Sequence, residues 1–283
     1  MIRPQTPFTI GADPEMFIIN KETDTVVSSI GLIPGEKGDP WVDPSWPPGF
    51  GLEIDNILVE YNIPPATNRE EFIGYIQFMQ DYIKTYVQNV NKNYDILCAS
   101  SKMVPEDQLN DPIARLFGCC PDFNCYTGAP NPRPRGEVTC LRSAGFHVHY
   151  GYQNPTIDES VEMVKHFDVY LGLMSLFFDT DRKRRSLYGK AGCYRLTSYG
   201  VEYRTLSSKM AESPQLIGLV YDGVLAATQS MEMRLPLLPE ENVISAINNS
   251  DVNAAKYLLT ALKNSVNKNT FVYYYLSNLL NLK

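Results

Sequence analysis

Charged or metal-binding side chains recur two residues apart in several strand-like segments of this chain. The pairs are Asp13/Glu15, Glu53/Asp55, Glu60/Asn62, His147/His149 and Glu202/Arg204. Residues i and i+2 of an extended strand point to the same face, and the alternate positions here are often apolar. A soluble sheet could turn such polar faces to water. Because two of the three histidines are paired in this way, we expect instead that the faces converge on a ligand, most simply a cation beside a phosphorylated molecule.

The size and charge of the chain limit its class. With 283 residues and 44% hydrophobic residues, it is long enough for one large domain or two small ones. It has no internal repeat or linker, which favours one domain. The net charge of −7 argues against general affinity for nucleic acid, which requires a basic surface. One basic run, 182–185, is interpreted as a solvated loop or helix end, or alternatively as a phosphate clamp with Lys190, Arg195 and Arg204.

The cysteines and apolar segments indicate a reduced, cytoplasmic protein with no membrane segment. None of the six cysteines forms a C-x-x-C pair, and the spacing of Cys119, Cys120 and Cys125 is a poor zinc signal. No basic region followed by an apolar stretch opens the chain, so no signal peptide is predicted. The longest apolar run, 170–178, is shorter than the roughly 20 residues that span a bilayer.

Strand-like and helix-like segments alternate along the chain. The pattern predicts strands over 8–19 (interrupted at Pro14), 52–63 and 193–207, and helices from a capping box at Thr67/Glu70, over 156–178, and over 214–230, 251–263 and 269–281. Connections between strands are often too short for parallel crossovers. The predicted class is therefore α+β, with an antiparallel or mixed sheet and helices on one side.

The Pro- and Gly-rich segment 31–51 is predicted to be an irregular loop. It contains both tryptophans, Trp41 and Trp46. They either anchor the loop to the body of the protein or belong to a lid or specificity loop, and the sequence leaves both open.

The histidine pair and the Glu202/Arg204 pair are the sharpest chemical signals. Paired imidazoles suit zinc or, together with carboxylates, magnesium or manganese, although a single buried core histidine is the simpler alternative. Glu202 and Arg204 either pair with each other or bind a divalent cation and a phosphate oxygen, respectively. No glycine-rich phosphate loop is present. A nucleotide would therefore have to be held by cations and arginines on a sheet.

Five short segments resemble motifs of the phage-encoded carboxylate–amine ligases (amidoligases of type 2) and occur in the same order as in that family. These ligases are related to the glutamate–cysteine ligase and glutamine synthetase superfamily. These segments are 11–15, 55–65, 121–124, 145–151 and 194–207. The resemblance spans about residues 8–230. It implies a curved, mainly antiparallel sheet of the glutamine synthetase-like half-barrel type, with helices on the convex side and ATP and divalent cations on the concave side.

The same resemblance implies an ATP-dependent, ADP-forming ligase that makes an amide bond through an acyl phosphate, with Mg²⁺ or Mn²⁺. It also implies a single catalytic domain, 1–283, with a ligase-like core over 8–230 and a C-terminal helical extension over 231–283. The substrates would be small-molecule or peptide carboxylates and amines. A phage enzyme of this kind would act in the host cytoplasm.

The resemblance also assigns roles to individual residues. The metal ligands would be Glu15, Glu60, His147 (or His149) and Glu202, and the ATP contacts Arg204 and His149. Lys190, which follows the basic run, is a further candidate ATP contact. Arg195, Arg204 and Glu202 would be catalytic, and Arg142, Asp122, Asn124 and Arg195 would contact substrate.

Two other classes of function compete with the ligase. A metal-dependent hydrolase or phosphotransferase could use the same acidic face. A non-catalytic binding protein could keep the scaffold and bind a partner through the tryptophan-containing loop. The acid and amine substrates, the general base and the oligomeric state are left open by the sequence.

Overall fold

A computed structural model describes residues 7–116, 122–132 and 139–282. The strands within these ranges are β1 (Phe8–Asn20), β2 (Thr25–Val27), β3 (Gly51–Asp55), β4 (Leu58–Asn62), β5 (Tyr94–Leu97), β6 (Ser101–Met103), β7 (Phe123–Asn124), β8 (Leu141–Ser143), β9 (Phe146–Tyr152), β10 (Cys193–Thr197) and β11 (Gly200–Tyr203). The helices are α1 (Arg69–Val90), α2 (Ile157–Phe167), α3 (Leu173–Ser175), α4 (Arg182–Leu187), α5 (Pro214–Glu232), α6 (Glu240–Asn248), α7 (Val252–Ser265) and α8 (Phe271–Asn281).

The described strands form one large antiparallel sheet and a small ribbon. The large sheet has the order β3–β4–β1–β9–β11–β10–β7, with β2 and β5 also paired to β1, and the ribbon consists of β6 and β8. All of these pairings are antiparallel. The sheet does not close into a barrel. This arrangement confirms the predicted α+β class.

Strand β1 is the central scaffold of the sheet. The expected interruption at Pro14 is wrong, because β1 is continuous through it. What changes there is the partner: β1 pairs with β9 up to Pro14, with β4 at Glu15 and Met16, and then with β2 and β5. One strand therefore holds both halves of the sheet in a fixed register.

One face of the sheet is apolar and lies under the helices. Alternate residues of β1, β9 and β11, such as Met16, Val148 and Tyr203, are buried in the main core together with Phe72 of α1 and Val224 of α5. Because side chains alternate along a strand, the charged pairs of the sequence lie on the other face. We call this second surface the polar face.

Helix starts agree in part with the capping pattern. Thr156 caps α2 as predicted, accepting a hydrogen bond from the Glu159 N–H at 3.2 Å. The predicted Thr67/Glu70 box is wrong by one residue: Asn68 is the N-cap of α1 and accepts from the Glu71 N–H at 2.9 Å. An Asn is an equally good cap, and the spacing alone could not choose between neighbours.

The C-terminal region is helical as predicted, with one additional helix, α6, that the sequence pattern did not indicate. Among the described residues, none of the helices is both long and apolar enough to pass through a membrane.

The 31–51 loop is anchored to α1 by its tryptophans. The Trp46 ring packs edge-on against Tyr82 with centroids 4.8 Å apart, and Trp41 contacts both rings. Trp41 also exchanges two backbone hydrogen bonds with Leu52 of β3, at 2.8 and 2.9 Å. The anchoring interpretation is therefore confirmed.

Candidate functional site

Strand register brings the charged pairs together at the centre of the polar face. Asp13 is opposite His147 across β1 and β9, and Glu202 is opposite His149 across β9 and β11. Glu15 is opposite Glu60 across β1 and β4. The pairs that the sequence placed on separate strands thus converge on one region.

Two groups of buried side chains in this region could each hold a cation. One consists of Asp13, His147 and Glu202, and the other of Glu15, Glu60 and His147, with the ligand atoms of each group within 4.8 Å of one another. Carboxylate oxygens with one imidazole suit Mg²⁺ or Mn²⁺. We call these groups the first and the second cation cluster. The sequence analysis named four of these five candidate ligands and did not name Asp13, although its i+2 spacing to Glu15 carried the signal.

The first cluster is organised around Asp13. Its Oδ1 atom lies 3.3 Å from His147 Nδ1 and 3.1 Å from His149 Nε2, contacts that are close but not aligned as hydrogen bonds. Burial by itself raises the pKa of Asp13, but the charges of His149 and His147 outweigh it and hold the pKa well below its usual value. Burial by itself lowers the pKa of His149, but the nearby charge of Asp13 outweighs burial and raises that pKa above its usual value. The cluster is thus a tightly coupled set of charges.

The second cluster brings carboxyl groups together where ionising all of them is unfavourable. Burial, followed by the charges of Asp13, Asp55 and Glu15, raises the pKa of Glu60 well above its usual value. Burial also raises the pKa of Glu15, although His147 and a hydrogen bond from the Gly145 N–H at 2.6 Å oppose this. Like charges at this spacing are stabilised by a cation, so the donor set fits a divalent metal.

Arginines contact the first cluster on the β10–β11 side. Arg204 Nη1 donates to Glu202 Oε1 and lies 3.3 Å from His147 Nδ1, while Arg204 Nε is 3.7 Å from Asp122 Oδ2. Arg195 Nη1 lies 3.3 Å from Glu202 Oε2. The Nε and Nη2 atoms of Arg195 are buried without a hydrogen-bond partner. These unsatisfied donors are suited to an anionic ligand.

A pocket of about 550 Å³ opens beside the clusters, and we call it the charged pocket. Its walls include Glu15, Asp55, His147, Arg142, Arg184 and Arg204. Acidic and basic groups thus line one space, as a site for a cation together with an anion requires.

Two of the arginines in this wall are fixed by backbone carbonyls. Arg142 donates to the carbonyls of Ala114, Thr139 and Leu141 at 2.7 to 3.1 Å. Arg184 donates to those of Ala144, Thr205 and Leu206 at 2.8 to 3.3 Å, and burial lowers its pKa to about 10.

The basic run that contains Arg184 is divided between surface and interior. Arg182 and Lys183 are exposed, as expected of a solvated helix end, whereas Arg184 and Arg185 are buried, so that expectation is wrong for these two. The sequence could not reveal the carbonyl partners of Arg184, which lie just after β8 and just after β11.

A second pocket, of about 800 Å³, lies on the same face beyond His149. Its walls are mostly apolar and include Gly11, Ile63, Pro65, His149, Gly151 and Tyr199. The His149 and Tyr199 rings are nearly parallel, with centroids 5.9 Å apart. This apolar pocket suits an uncharged group of a ligand.

Two predicted site residues lie away from the cation clusters. Lys190 is exposed, and its carbonyl accepts from Thr205 Oγ1 at 2.9 Å. The Asn124 side chain bonds to the Ala191 carbonyl and to the Tyr126 N–H. Neither side chain lines the charged pocket.

Two cysteines of the weak zinc signal, Cys119 and Cys120, lie outside the described residues.

A buried carboxylate that the sequence left without a role lies behind the site. Asp168 accepts from Tyr203 Oη at 2.7 Å and from Tyr126 Oη at 2.9 Å, on the helix side of the sheet. Burial raises its pKa to about 7. His166, two residues before Asp168, was predicted to be a surface or core residue and not a ligand. It is buried, and burial lowers the pKa of its imidazole to about 4.

Comparison with known proteins gave one family and a structural likeness. The family model described as "Phage phiEco32-like COOH.NH2 ligase-type 2" matches residues 141–282, just over half of the chain. No curated protein matches. Among solved structures, the bifunctional glutathione synthetase from Pasteurella multocida is similar, with a TM-score of 0.53 and 10% identity, covering 97% of this chain and 46% of that protein. The chain thus spans less than half of that protein's length, and at this identity the likeness concerns the fold alone.

Proposed function

Because the chain belongs to the phage phiEco32-like COOH–NH2 ligase type 2 family, we propose that it is an ATP-dependent ligase that joins a carboxylate to an amine. The observation that carries the proposal is the pair of buried carboxylate–imidazole clusters that share His147 beside an arginine-lined pocket. Activating a carboxylate by phosphorylation requires this combination, since negative charge must be neutralised while a phosphoryl group moves.

The cation ligands would be Glu15, Glu60, His147 and Glu202, and we add Asp13 from its place in the first cluster. When bound, Mg²⁺ or Mn²⁺ would supply electrostatic screening between the triphosphate and the incoming carboxylate. The protein's own contribution is to hold these ligands on adjacent strands, where the register fixes their spacing.

Arginines would bind the anionic parts of the reactants. We assign Arg204 and Arg195 to phosphate and substrate carboxylate, because Arg204 lines the charged pocket and Arg195 has buried donors without partners. His149 would contact ATP from its place beside Asp13 of the first cluster. Lys190 is kept as a further ATP contact, although it would have to extend toward the pocket from an exposed position.

The reaction would proceed in two displacements. An oxygen of the substrate carboxylate attacks the γ-phosphorus of ATP, the bond to the β–γ bridging oxygen breaks, and ADP leaves. The amine nitrogen then attacks the carbonyl carbon of the acyl phosphate, phosphate leaves, and the nitrogen loses a proton. Glu202, Arg195 and Arg204 are the residues that we propose to stabilise the charges of the first displacement.

The acid and amine are proposed to be small molecules or peptides. Asp122, Asn124, Arg142 and Arg195 are the proposed substrate contacts. For Arg142 the carbonyl bonds favour a fixed positive wall over a mobile clamp. The apolar pocket would take an uncharged part of one reactant.

We also propose the finer features of the fold and location that the family suggests. The sheet would be a glutamine synthetase-like half barrel with its helices on the convex side. The chain would be one catalytic domain, 1–283, with a ligase-like core over 8–230 and a helical extension over 231–283. A phage enzyme of this class would act in the host cytoplasm.

The test combines nucleotide binding with product analysis. We expect titration calorimetry to show ATP binding that depends on Mg²⁺, and ADP release in panels of amino acids and amines to accompany an amide product of the expected mass. Absence of Mg²⁺-dependent binding at millimolar ATP would overturn the proposal. A phosphorylated end product would point instead to a phosphotransferase, and phosphate release without an amide to a hydrolase.

A variant pair makes this test specific to the site. Glu202→Gln should lower turnover at least about 100-fold, since it removes a charged ligand from the first cluster. Glu212→Gln, a change at an exposed glutamate paired with Lys209, should keep the wild-type rate.

A further inference from the structure

The 31–51 loop places a lysine at the edge of the second cation cluster. Its tip, residues 36–39, which we call the hairpin tip, carries Lys37, whose Nζ forms an ion pair with Asp55 Oδ1. The next residue, Gly38, donates its N–H to Glu53 Oε2 at 2.9 Å. The lysine side chain is 40% exposed and that of Asp55 is 11% exposed. The ammonium group thus lies between solvent and the buried carboxylates.

The hairpin tip is held in place by several backbone contacts. Glu36 and Asp39 exchange hydrogen bonds at 3.2 and 2.9 Å, and Trp41 pairs with Leu52 of β3. Gly35 has a φ of 89°, and a Cβ there would lie 2.1 Å from the Leu52 carbonyl oxygen. A larger residue would push the loop off the strand, so the glycine allows the close approach that positions Lys37.

The strands beneath the hairpin tip carry a row of carboxylates. Glu53 is opposite Glu60 across β3 and β4, and Glu60 is opposite Glu15 across β4 and β1. Asp55 lies on the same strand as Glu53 and lines the charged pocket together with Glu15. Directly opposed like charges repel, and burial strengthens the repulsion. A positive group at the end of this row therefore lowers the energy of the cation-free state.

We propose that Lys37 is a built-in counter-charge that competes with the divalent cation at the second cluster and thereby sets the affinity of that cluster. The inference rests on the proposed function in one respect, namely that Glu15, Glu60 and His147 hold a cation. It goes further by giving the loop a part in cation binding, since Lys37 is a positioning residue that acts through Asp55 and the electrostatic field of the row. Without a cation it keeps the carboxylates together, and with one it is repelled toward solvent.

The test measures Mn²⁺ binding to the full chain without nucleotide, by the electron paramagnetic resonance signal of free Mn²⁺. Lys37→Met keeps the aliphatic stem and removes the charge. We expect it to bind Mn²⁺ about five- to tenfold more tightly than the wild type, the size expected for removing one nearby charge at an intermediate dielectric. Lys37→Arg, which keeps the charge, should bind like the wild type. Lys37→Gln gives a second neutral variant with the same expectation as Lys37→Met.

A matched control separates this effect from general charge removal. Lys84 is 46% exposed and pairs with Asp95 at 3.2 Å, in an ion pair outside the cation clusters. Lys84→Met should leave Mn²⁺ affinity unchanged.

The outcomes distinguish the two proposals. If the wild type binds Mn²⁺ and Lys37→Met and Lys37→Gln bind it no more tightly, the inference about Lys37 is overturned while the cation site stands. If neither the wild type nor the neutral variants bind Mn²⁺, both proposals are overturned. Tighter binding in both neutral variants but not in Lys37→Arg or Lys84→Met supports the inference.

Discussion

Glu15 and Glu60 are directly opposite each other on β1 and β4, and both are buried. Two buried carboxylates in register are costly in a protein without a cation, because desolvation and repulsion both act on them. Structural reasons alone do not favour such a pair, since a carboxylate and an amide in these positions would repel less. The proposed cation site accounts for this pair, because a divalent ion between the two carboxylates would offset their repulsion.

Glu60→Gln should stabilise the cation-free protein and weaken its response to a cation. Removing one charge relieves the repulsion with Glu15, which we expect to raise the free energy of unfolding by about 1–2 kcal/mol at pH 8. The same change removes a ligand, so millimolar Mn²⁺ should raise the melting temperature less than in the wild type. Thermal unfolding with and without Mn²⁺ measures both effects. A variant that melts lower without the cation and responds equally to Mn²⁺ would show that Glu60 has a purely structural role.

Arg142→Lys should destabilise the protein even without any ligand. The buried guanidinium satisfies three backbone carbonyls at once, and an ammonium group cannot reproduce this planar set of donors. We expect a loss of about 2–4 kcal/mol in urea unfolding. Arg115→Lys is the matched control, since Arg115 is half-buried and pairs with Glu106 at 3.0 Å. It should change stability by less than about 0.5 kcal/mol. Equal stability of Arg142→Lys and wild type would return Arg142 to a purely substrate-binding role.

Asp168→Asn should flatten the dependence of stability on pH. Burial raises the pKa of Asp168 in the fold to about 7, above its usual value of 3.8. Because this pKa is raised in the fold, the contribution of Asp168 to the free energy of unfolding is fully present below pH 3.8 and is lost as the pH rises to about 7. Over that interval the wild type should lose up to about 4 kcal/mol relative to Asp168→Asn.

Urea unfolding of both proteins between pH 4 and pH 8 measures this difference. His166 has the opposite sign: because burial lowers its pKa to about 4, its contribution is lost as the pH falls below 6.5. It is present in both proteins, so it cancels when the two profiles are subtracted. A difference that does not vary with pH would mean that Asp168 titrates near its usual value in the fold.

The sequence predicts which side chains share a face, but not which ones face each other. The i+2 spacing of His147 and His149 predicted a common face because it depends only on strand geometry. That Asp13 contacts both histidines depends on the register of β1 against β9, which is set by long-range packing. The same limit applies to the fold, where strand and helix segments were largely predicted and the order of strands was not. The predicted single strands 52–63 and 193–207 are in fact two hairpins, β3–β4 and β10–β11, because short turns divide them.

Hydrogen bonds between side chains and backbone carbonyls could not be predicted from the sequence either. Arg184 lies in a basic run that resembles a solvated helix end, yet it binds the carbonyls of Thr205 and Leu206. Every residue has a backbone carbonyl, so the pattern of side chains does not indicate which carbonyl accepts such a bond. The ion pair between Lys37 and Asp55 was likewise not predicted, because it depends on how the 31–51 loop packs against β3.

Gly145→Ala should weaken cation binding without unfolding the protein. A Cβ at this position would lie 2.6 Å from His147 Nε2, so the imidazole shared by both clusters must move. The Gly145 carbonyl also accepts from the Glu15 N–H at 2.9 Å, and the Gly145 N–H donates to the Glu15 carboxylate at 2.6 Å, so the displacement reaches a second ligand. Because the orientation of ligands controls affinity, we expect Mn²⁺ binding to fall about 10- to 100-fold.

Gly74→Ala is the control, since Gly74 is exposed on α1 with open space around it. Alanine at this position should raise the free energy of unfolding by up to about 1 kcal/mol and leave Mn²⁺ affinity unchanged. If Gly145→Ala bound Mn²⁺ as tightly as the wild type, His147 would not be a ligand in the position that the strand register gives it.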